Sequence, residues 1–281
     1  MQIAVAMSEL PAELSGALRA GQSYLNRQNS RLAEALDERF SALTDTADGV
    51  RIKACIDHTI GRRPIYPNEC SGIQFPFLPA YEFFDRRLFD WIDDLEGKTE
   101  DIRTEALALI EGAADSIRPY VRMERGAPPN KWSGLDHSLD WSAAFLWEFG
   151  KQDAALCARC PNTAEILRKI PQTEIAGKAP TAFFSILRPH SRIPPHTGAT
   201  NTRTIVHLPL VVPEGCGFRV GGETRQWREG EAFAFDDTIE HEAWNDSDFP
   251  RIVLIFDVWN PYLSGNERRF LRDFFDVVDA Q

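Results

Sequence analysis

Two histidines in the second half of the chain stand where a metal ion could be held. His196 lies in Pro194-Pro195-His196-Thr197-Gly198, just before a β-prone run at 202–212. His241 lies in Phe235-Asp236-Asp237-Thr238-Ile239-Glu240-His241, just after another at 231–235. Only six histidines exist, and His196, His207 and His241 are among those that fall in this strand-rich half. A single histidine there is most often structural. Two at the ends of strands in a small barrel can converge at one mouth, and imidazole suits Fe(II) while leaving coordination positions free. Arg251 opens the apolar run that ends at Trp259. A guanidinium at the head of such a strand is costly to bury unless it meets an anion, and its fork matches a carboxylate. The plainer reading is an exposed arginine at a strand end.

The elements that must position these residues fall into two textures. Residues 8–60 carry Leu14, Leu18, Tyr24, Leu25, Leu32, Leu36 and Phe40 at helical intervals, which predicts a helical hairpin with Gly21 and Asn29 as interruptions. Four prolines between 61 and 79 mark irregular chain and a boundary. Residues 81–122 read as helical, ending near Pro119. After about 140 the pattern turns to short β-type runs. Strands are predicted at 140–149, 182–187, 202–212, 217–220, 224–227, 231–235 and 251–259, with a short helix at 163–170. A closing helix over 265–278 would place Phe270, Leu271, Phe274 and Phe275 on one face. Short strands at this spacing point to a sandwich or barrel.

Bulk properties narrow the function. The 281 residues carry a net charge of −11, which argues against a nucleic-acid partner because phosphate binding needs a basic surface. No run approaches the roughly 18–20 apolar residues of a membrane helix, so no membrane partner is expected. The N-terminus lacks the basic and long apolar regions of a signal peptide, so a cytoplasmic location is expected. Five cysteines make no disulfide framework, and the Cys157–Cys160 pair lacks a second such pair to complete a zinc site.

Several segments taken together resemble one family. They are His196 to Arg203, His207-Leu208-Pro209-Leu210, Pro213 to Gly217, Trp227 to Gly230, Phe235 to Asn245 and Arg251 to Pro261. Their order and content are similar to the aspartyl/asparaginyl β-hydroxylases. The resemblance is dense over 182–262 and extends more weakly back to about residue 66, through Asp140-Trp141-Ser142 and Trp147. It does not cover residues 1–60.

The resemblance implies a mainly β fold with flanking helices. Its core would be a double-stranded β-helix, the jelly-roll or cupin-like fold, over about 140–262. This core lies in a domain at 63–281 behind a helical N-terminal segment at 1–62. The implied activity is that of an oxygenase using Fe(II), 2-oxoglutarate and O2. His196 and His241 would be the metal ligands. Arg251 and Ser185 would hold the distal carboxylate of 2-oxoglutarate, with His207 and Trp141 lining that site. Asp237 would stand behind the iron and hold a metal-bound water, and Arg203 would meet the substrate. Most such oxygenases carry a carboxylate two residues after the first histidine. Here that residue is Gly198, as it is in the family resembled, which leaves water, substrate or, in a halogenase, a halide to complete the site. Three departures concern the substrate. Ile205 stands where the family has a second arginine, Asp136 where a basic residue is expected, and Ala164 where a partner for Cys157 would be. The implied reaction is hydroxylation at the β-carbon of an Asp/Asn-type residue, or of a related small molecule. The partner is thus a peptide or small molecule. The alternatives are a non-catalytic metal- or ligand-sensing jelly roll and an Fe(II) halogenase.

Overall fold

The computed structural model describes residues 11–44, 49–112 and 114–280. The chain packs as two units, Met1–Ile65 and Tyr66–Gln281. In the first, α1 (Ala12–Thr44) and α2 (Gly49–Thr59) share a small core of Ala33, Ile56 and Ile60, joined by Leu36, Phe40 and Ile52. Arg62 Nη2 reaches Asp37 Oδ2 at 2.7 Å. Helix α1 runs through both Gly21 and Asn29, which do not break it. The predicted stripe is only partly used: Leu36 and Phe40 pack, while Leu14, Leu18, Tyr24, Leu25 and Leu32 are exposed. Residues 8–10 of the predicted hairpin lie outside the described residues.

The second unit is a jelly roll. Its strands are β1 (Arg118–Pro119), β2 (Trp141–Glu148), β3 (Lys151–Gln152), β4 (Ala182–Leu187), β5 (Ser191–His196), β6 (Arg203–Val211), β7 (Cys216–Val220), β8 (Glu223–Arg225), β9 (Phe233–Phe235), β10 (His241–Asn245) and β11 (Arg251–Trp259). The large sheet has the order β1-β2-β4-β11-β6-β9, with β3 on β2, and the small sheet has the order β5-β10-β7-β8. All pairings are antiparallel. From β4 onward the chain crosses repeatedly between the two sheets, as a double-stranded β-helix requires. Trp141, Leu187, Ile193, Phe218, Trp227 and Phe235 fill part of the space between the sheets. The outer face of the large sheet is covered by α3 (Ile92–Glu96), α4 (Thr99–Gly112), α5 (Ala154–Arg159) and α6 (Pro161–Lys169), through Leu95, Ile102, Leu109, Leu156 and Leu167. With both faces covered, β4 is buried at all six positions.

Several expectations change. The stretch 81–122 is not one helical region: it holds a short 3₁₀ turn at Arg86–Leu88, α3, α4, another 3₁₀ turn and then β1, so Pro119 sits in a strand. The Tyr120 amide donates to the Trp141 carbonyl at 3.0 Å, and this sheet contact overrides helix formation there. Strand β5 contains Pro194 and Pro195 and is not among the predicted strands. It is the edge of the small sheet, and both prolines fall in the register break opposite Glu242, where no ladder bond is asked of them. Helix α7 (Gly265–Asp279) begins at a capping box between Ser264 and Glu267. Its apolar residues do not share one buried face: Leu271 is buried, whereas Phe270 is 53% and Phe274 37% exposed. No described helix is long and apolar enough to cross a membrane.

Candidate active site

His196 ends β5 and His241 begins β10, and the two are direct partners across the ladder. Their ring centroids lie 4.0 Å apart. His196 Nδ1 is 2.8 Å from the Pro194 carbonyl and His241 Nδ1 is 3.0 Å from the Ile239 carbonyl. A carbonyl only accepts, so each Nδ1 carries the proton and each Nε2 keeps its lone pair. Burial pushes the His196 pKa down to about 4 and that of His241 well below its ordinary value. Both rings are therefore neutral at pH 7, the form that binds a metal.

Gly198 is tied to the loop before β10, its amide donating to the Asp237 carbonyl at 2.5 Å. A Cβ built on Gly198 would lie 2.1 Å from Asp237 Oδ2 and 2.2 Å from its Cγ. The Asp237 carboxyl group thus fills the space that a side chain at 198 would enter. Asp237 Oδ1 has no hydrogen-bond partner among the described residues. Burial pushes its pKa up to about 7, partly offset by the Arg203 charge. The loop is pinned next door: Asp236 accepts from the Thr238 hydroxyl at 2.6 Å and from Asn68 Nδ2 at 2.7 Å.

At the head of β11, Arg251 is 1% exposed. Its Nη1 donates to Ser185 Oγ at 3.2 Å, and Trp141 Nε1 donates to the same oxygen at 3.1 Å. The guanidinium carbon sits 4.7 Å from the Trp227 ring centroid. No described carboxylate pairs with it, its Nε is unpartnered, and burial pushes its pKa down to about 10. His207 packs between Phe218 and Phe235, each at 5.0 Å, and burial followed by the Arg251 charge keeps it neutral. With its lone pairs engaged, the Ser185 hydroxyl has its proton left to donate. This end offers a guanidinium and a hydroxyl to an anion that the fold itself does not supply.

One cavity of about 440 Å³ is shared by these residues: His196, His207, Arg203, Asp237, His241, Trp141 and Arg251 all line it. Ser185 lies behind the wall, fully buried. Every site residue singled out from the sequence is therefore brought to one cavity or, for Ser185, to its wall. Arg203 differs in its availability, because its Nη1 already pairs with Asp257 Oδ2 at 3.2 Å. Burial opposes the Arg203 charge, but Asp237 and Asp257 outweigh it and hold the pKa above its ordinary value. Asp257 is itself pushed up to about 6 by burial.

Sequence reasoning passed over Tyr120, Trp132, Phe145, Phe183 and Asp257. Trp132 lies 4.9 Å from the His196 ring and Tyr120 stacks on Trp141 at 3.9 Å. Asp257 was discoverable: it follows Arg251 by six residues in one strand, so both side chains point the same way. Tyr120 and Trp132 lie in irregular chain with no periodicity to flag them. Asp136 accepts from the Met123 amide at 2.7 Å and is absent from the cavity lining. Cys157 and Cys160 are free and buried, and burial pushes Cys160 up to about 12, so both stay protonated thiols. Among the described residues no three of His, Cys, Asp and Glu gather as a metal cage. The histidine pair thus has no third donor of these types gathered beside it among the described residues.

This jelly roll, with paired histidines and a buried arginine lining one cavity, has known relatives. Residues 96–261 match the aspartyl/asparaginyl beta-hydroxylase family, and the chain belongs to that family. It is 36% identical over 181 residues to the human protein named aspartyl/asparaginyl beta-hydroxylase, a match covering 64% of this chain and 22% of that protein. The mouse counterpart is 41% identical over 181 residues, covering 64% and 23%. A Rhizobium tropici protein named ornithine lipid ester-linked acyl 2-hydroxylase is 39% identical over 199 residues, covering 70% and 66%. The matched span is thus less than a quarter of the mammalian proteins and about two thirds of the bacterial one.

Proposed function

We propose that this chain is a dioxygenase dependent on Fe(II) and 2-oxoglutarate that hydroxylates an unactivated carbon. The observation that carries this reading is Arg251: a buried guanidinium with no carboxylate partner among the described residues, lining the same cavity as two neutral histidines. Such a charge is costly unless an anion arrives. A dicarboxylic acid with one end on Arg251 and Ser185 and the other toward the histidines meets both requirements. His196 and His241 would hold the iron through Nε2, each ring oriented by its carbonyl bond. Iron bound there would supply the oxidant by activating oxygen against 2-oxoglutarate. The protein's own part is to orient and to exclude water. Trp141 and Arg251 fix the Ser185 hydroxyl, His207 and Phe218 dry the co-substrate end, and Asp237 places an acceptor beside Gly198 for a metal-bound water.

The family resemblance favours a carbon of an Asp/Asn-type residue or a related small molecule as the target. The names of the relatives extend this to a lipid acyl chain. A halide opposite Gly198 would face the Asp237 carboxylate, so hydroxylation is preferred over halogenation. Arg251 likewise favours catalysis over a non-catalytic sensor, since a scaffold gains nothing from a buried unpaired charge. A cytoplasmic setting belongs to this reading and is supported by five free thiols.

Anaerobic titration with Fe(II) and 2-oxoglutarate tests the proposal. A charge-transfer absorption band is expected, abolished in His241→Ala. Absence of the band in the unaltered protein, together with no succinate formed from 2-oxoglutarate in air, would overturn it.

A further inference from the structure

Helix α1 carries its leucines in an ordered row. Leu14, Leu18, Leu25, Leu32 and Leu36 follow one another at intervals of four, seven, seven and four residues. At 3.6 residues per turn all five fall within an arc of about 40°, a straight stripe along the helix. The first four are half-exposed, at 54%, 50%, 55% and 45%. Gly21 lies in the same stripe, and a Cβ built on it would meet nothing within 4 Å. Only the C-terminal half of the helix has a companion, where Ala33, Leu36 and Phe40 pack with Ile52, Ile56 and Ile60. Helix α2 has 11 residues against the 33 of α1, too few to cover the rest. The open stretch contains Gly16, Gly21, Asn26 and Asn29, all poor helix formers. A helix of that composition keeps its form by packing an apolar stripe, and leucines seven residues apart are the seam of a coiled coil.

The stripe is matched to a copy of itself. Its intervals read the same in both directions from Leu25. An antiparallel copy, related by a two-fold axis at Leu25, therefore sets Leu18 against Leu32, Leu14 against Leu36, and Leu25 against its own counterpart. The charges choose this direction over the parallel one. Between Leu14 and Leu32 the only charged residues are Arg19, Arg27 and Arg31, whereas beyond Leu32 Glu34, Asp37 and Glu38 outnumber Arg39. The ion pairs described in this unit join Lys53 to Asp57 and Arg62 to Asp37 and Asp57, so the arginines of α1 stay out of them. A parallel pair would set the three arginines beside their own copies. An antiparallel pair brings the basic half of each helix toward the acidic end of the other, and opposes the two helix dipoles.

We propose that α1 is a self-association surface: two copies of this chain pair through α1 as an antiparallel two-stranded coiled coil centred on Leu25. The pairing is independent of the oxygenase reading and of any metal.

Sedimentation equilibrium of the full chain tests the pairing, with a dimer expected at micromolar concentrations, roughly 20–100 µM. Leu25→Asp sets two carboxylates against each other at the axis and should weaken the dimer by about a hundred-fold or more. Phe270→Asp alters a side chain of similar exposure, 53%, on α7 and should leave the dimer intact. Direction is read by disulfide crosslinking in a Cys55→Ser, Cys70→Ser background, which removes the free thiols that are not buried. Leu25→Cys should link two chains on oxidation. Leu18→Cys alone should not, because the two copies of residue 18 would stand about 21 Å apart along the axis. A mixture of the Leu18→Cys and Leu32→Cys chains should link. Should Leu25→Asp lose helix in far-ultraviolet dichroism, the crosslinking pattern decides in its place. A chain that stays monomeric over that range, or a dimer lost in Phe270→Asp but kept in Leu25→Asp, overturns the surface. Ready linkage of Leu18→Cys to itself overturns the antiparallel pairing.

Discussion

Gly198→Ala is the most informative single change. The added Cβ would sit 2.1 Å from Asp237 Oδ2 and 2.2 Å from Cγ, well inside van der Waals contact. Asp237 cannot retreat easily, because it is buried and its own carbonyl holds the Gly198 amide at 2.5 Å. Overpacking of this kind costs about 1–3 kcal/mol. In a unit of this size a kilocalorie moves the midpoint by about 2–4 °C, so a fall of roughly 2–12 °C is expected in thermal unfolding without metal. The clash is with the carboxyl group itself, which a double-mutant cycle isolates. In an Asp237→Ala background the same Gly198→Ala change should cost under about 0.5 kcal/mol, giving a coupling of about 0.5 kcal/mol or more. If Gly198→Ala costs the same in both backgrounds, Asp237 does not occupy that space, and its placement behind the iron loses its structural basis.

Two further predictions follow from the buried charges. The folded pKa of Asp237 stands at about 7, above that of an unfolded aspartate near 4, so the folded state holds the proton more tightly. Its contribution is fully favourable below pH about 4, is lost as pH rises to about 7, and is constant above that. Asp237→Asn should therefore gain stability relative to the unaltered protein across that window in urea titrations; a gain that shrinks with rising pH refutes the sign. Arg251→Met removes a buried charge that no described carboxylate balances, and should raise metal-free stability by about 1 kcal/mol or more. The unaltered protein should gain about 2.7 kcal/mol from 2-oxoglutarate at a hundred times its dissociation constant. The variant should gain nothing; a variant that is less stable yet still stabilised by 2-oxoglutarate contradicts the assignment.

What could be read before folding was uneven, for identifiable reasons. The runs predicted at 182–187 and 251–259 coincide with β4 and β11, because strands buried on both faces are near-continuous apolar segments. Strand β10 has only five residues, with alternating burial and a histidine, a glutamate and an asparagine among them, so propensity gave no signal. Strand β5 hid behind its prolines. His196 and His241 were recognisable by motif, yet their direct pairing was not, since it depends on two strands that propensity did not reveal. The aromatic part of the cavity lining was also illegible. Phe145 and Phe183 look like ordinary core residues, and only the register shows them facing a cavity.

That pairing has a practical meaning for how the site tolerates change. Because His196 and His241 share one rung of an antiparallel ladder, their spacing is set by the sheet and not by the chain between them. Exposed turns elsewhere between the two histidines can change length without moving either ring, provided the small sheet still closes. A one-residue slip of β10 against β5 would do the opposite, turning His241 to the other face and away from its partner. The histidine pair is in effect a length standard held by backbone hydrogen bonds.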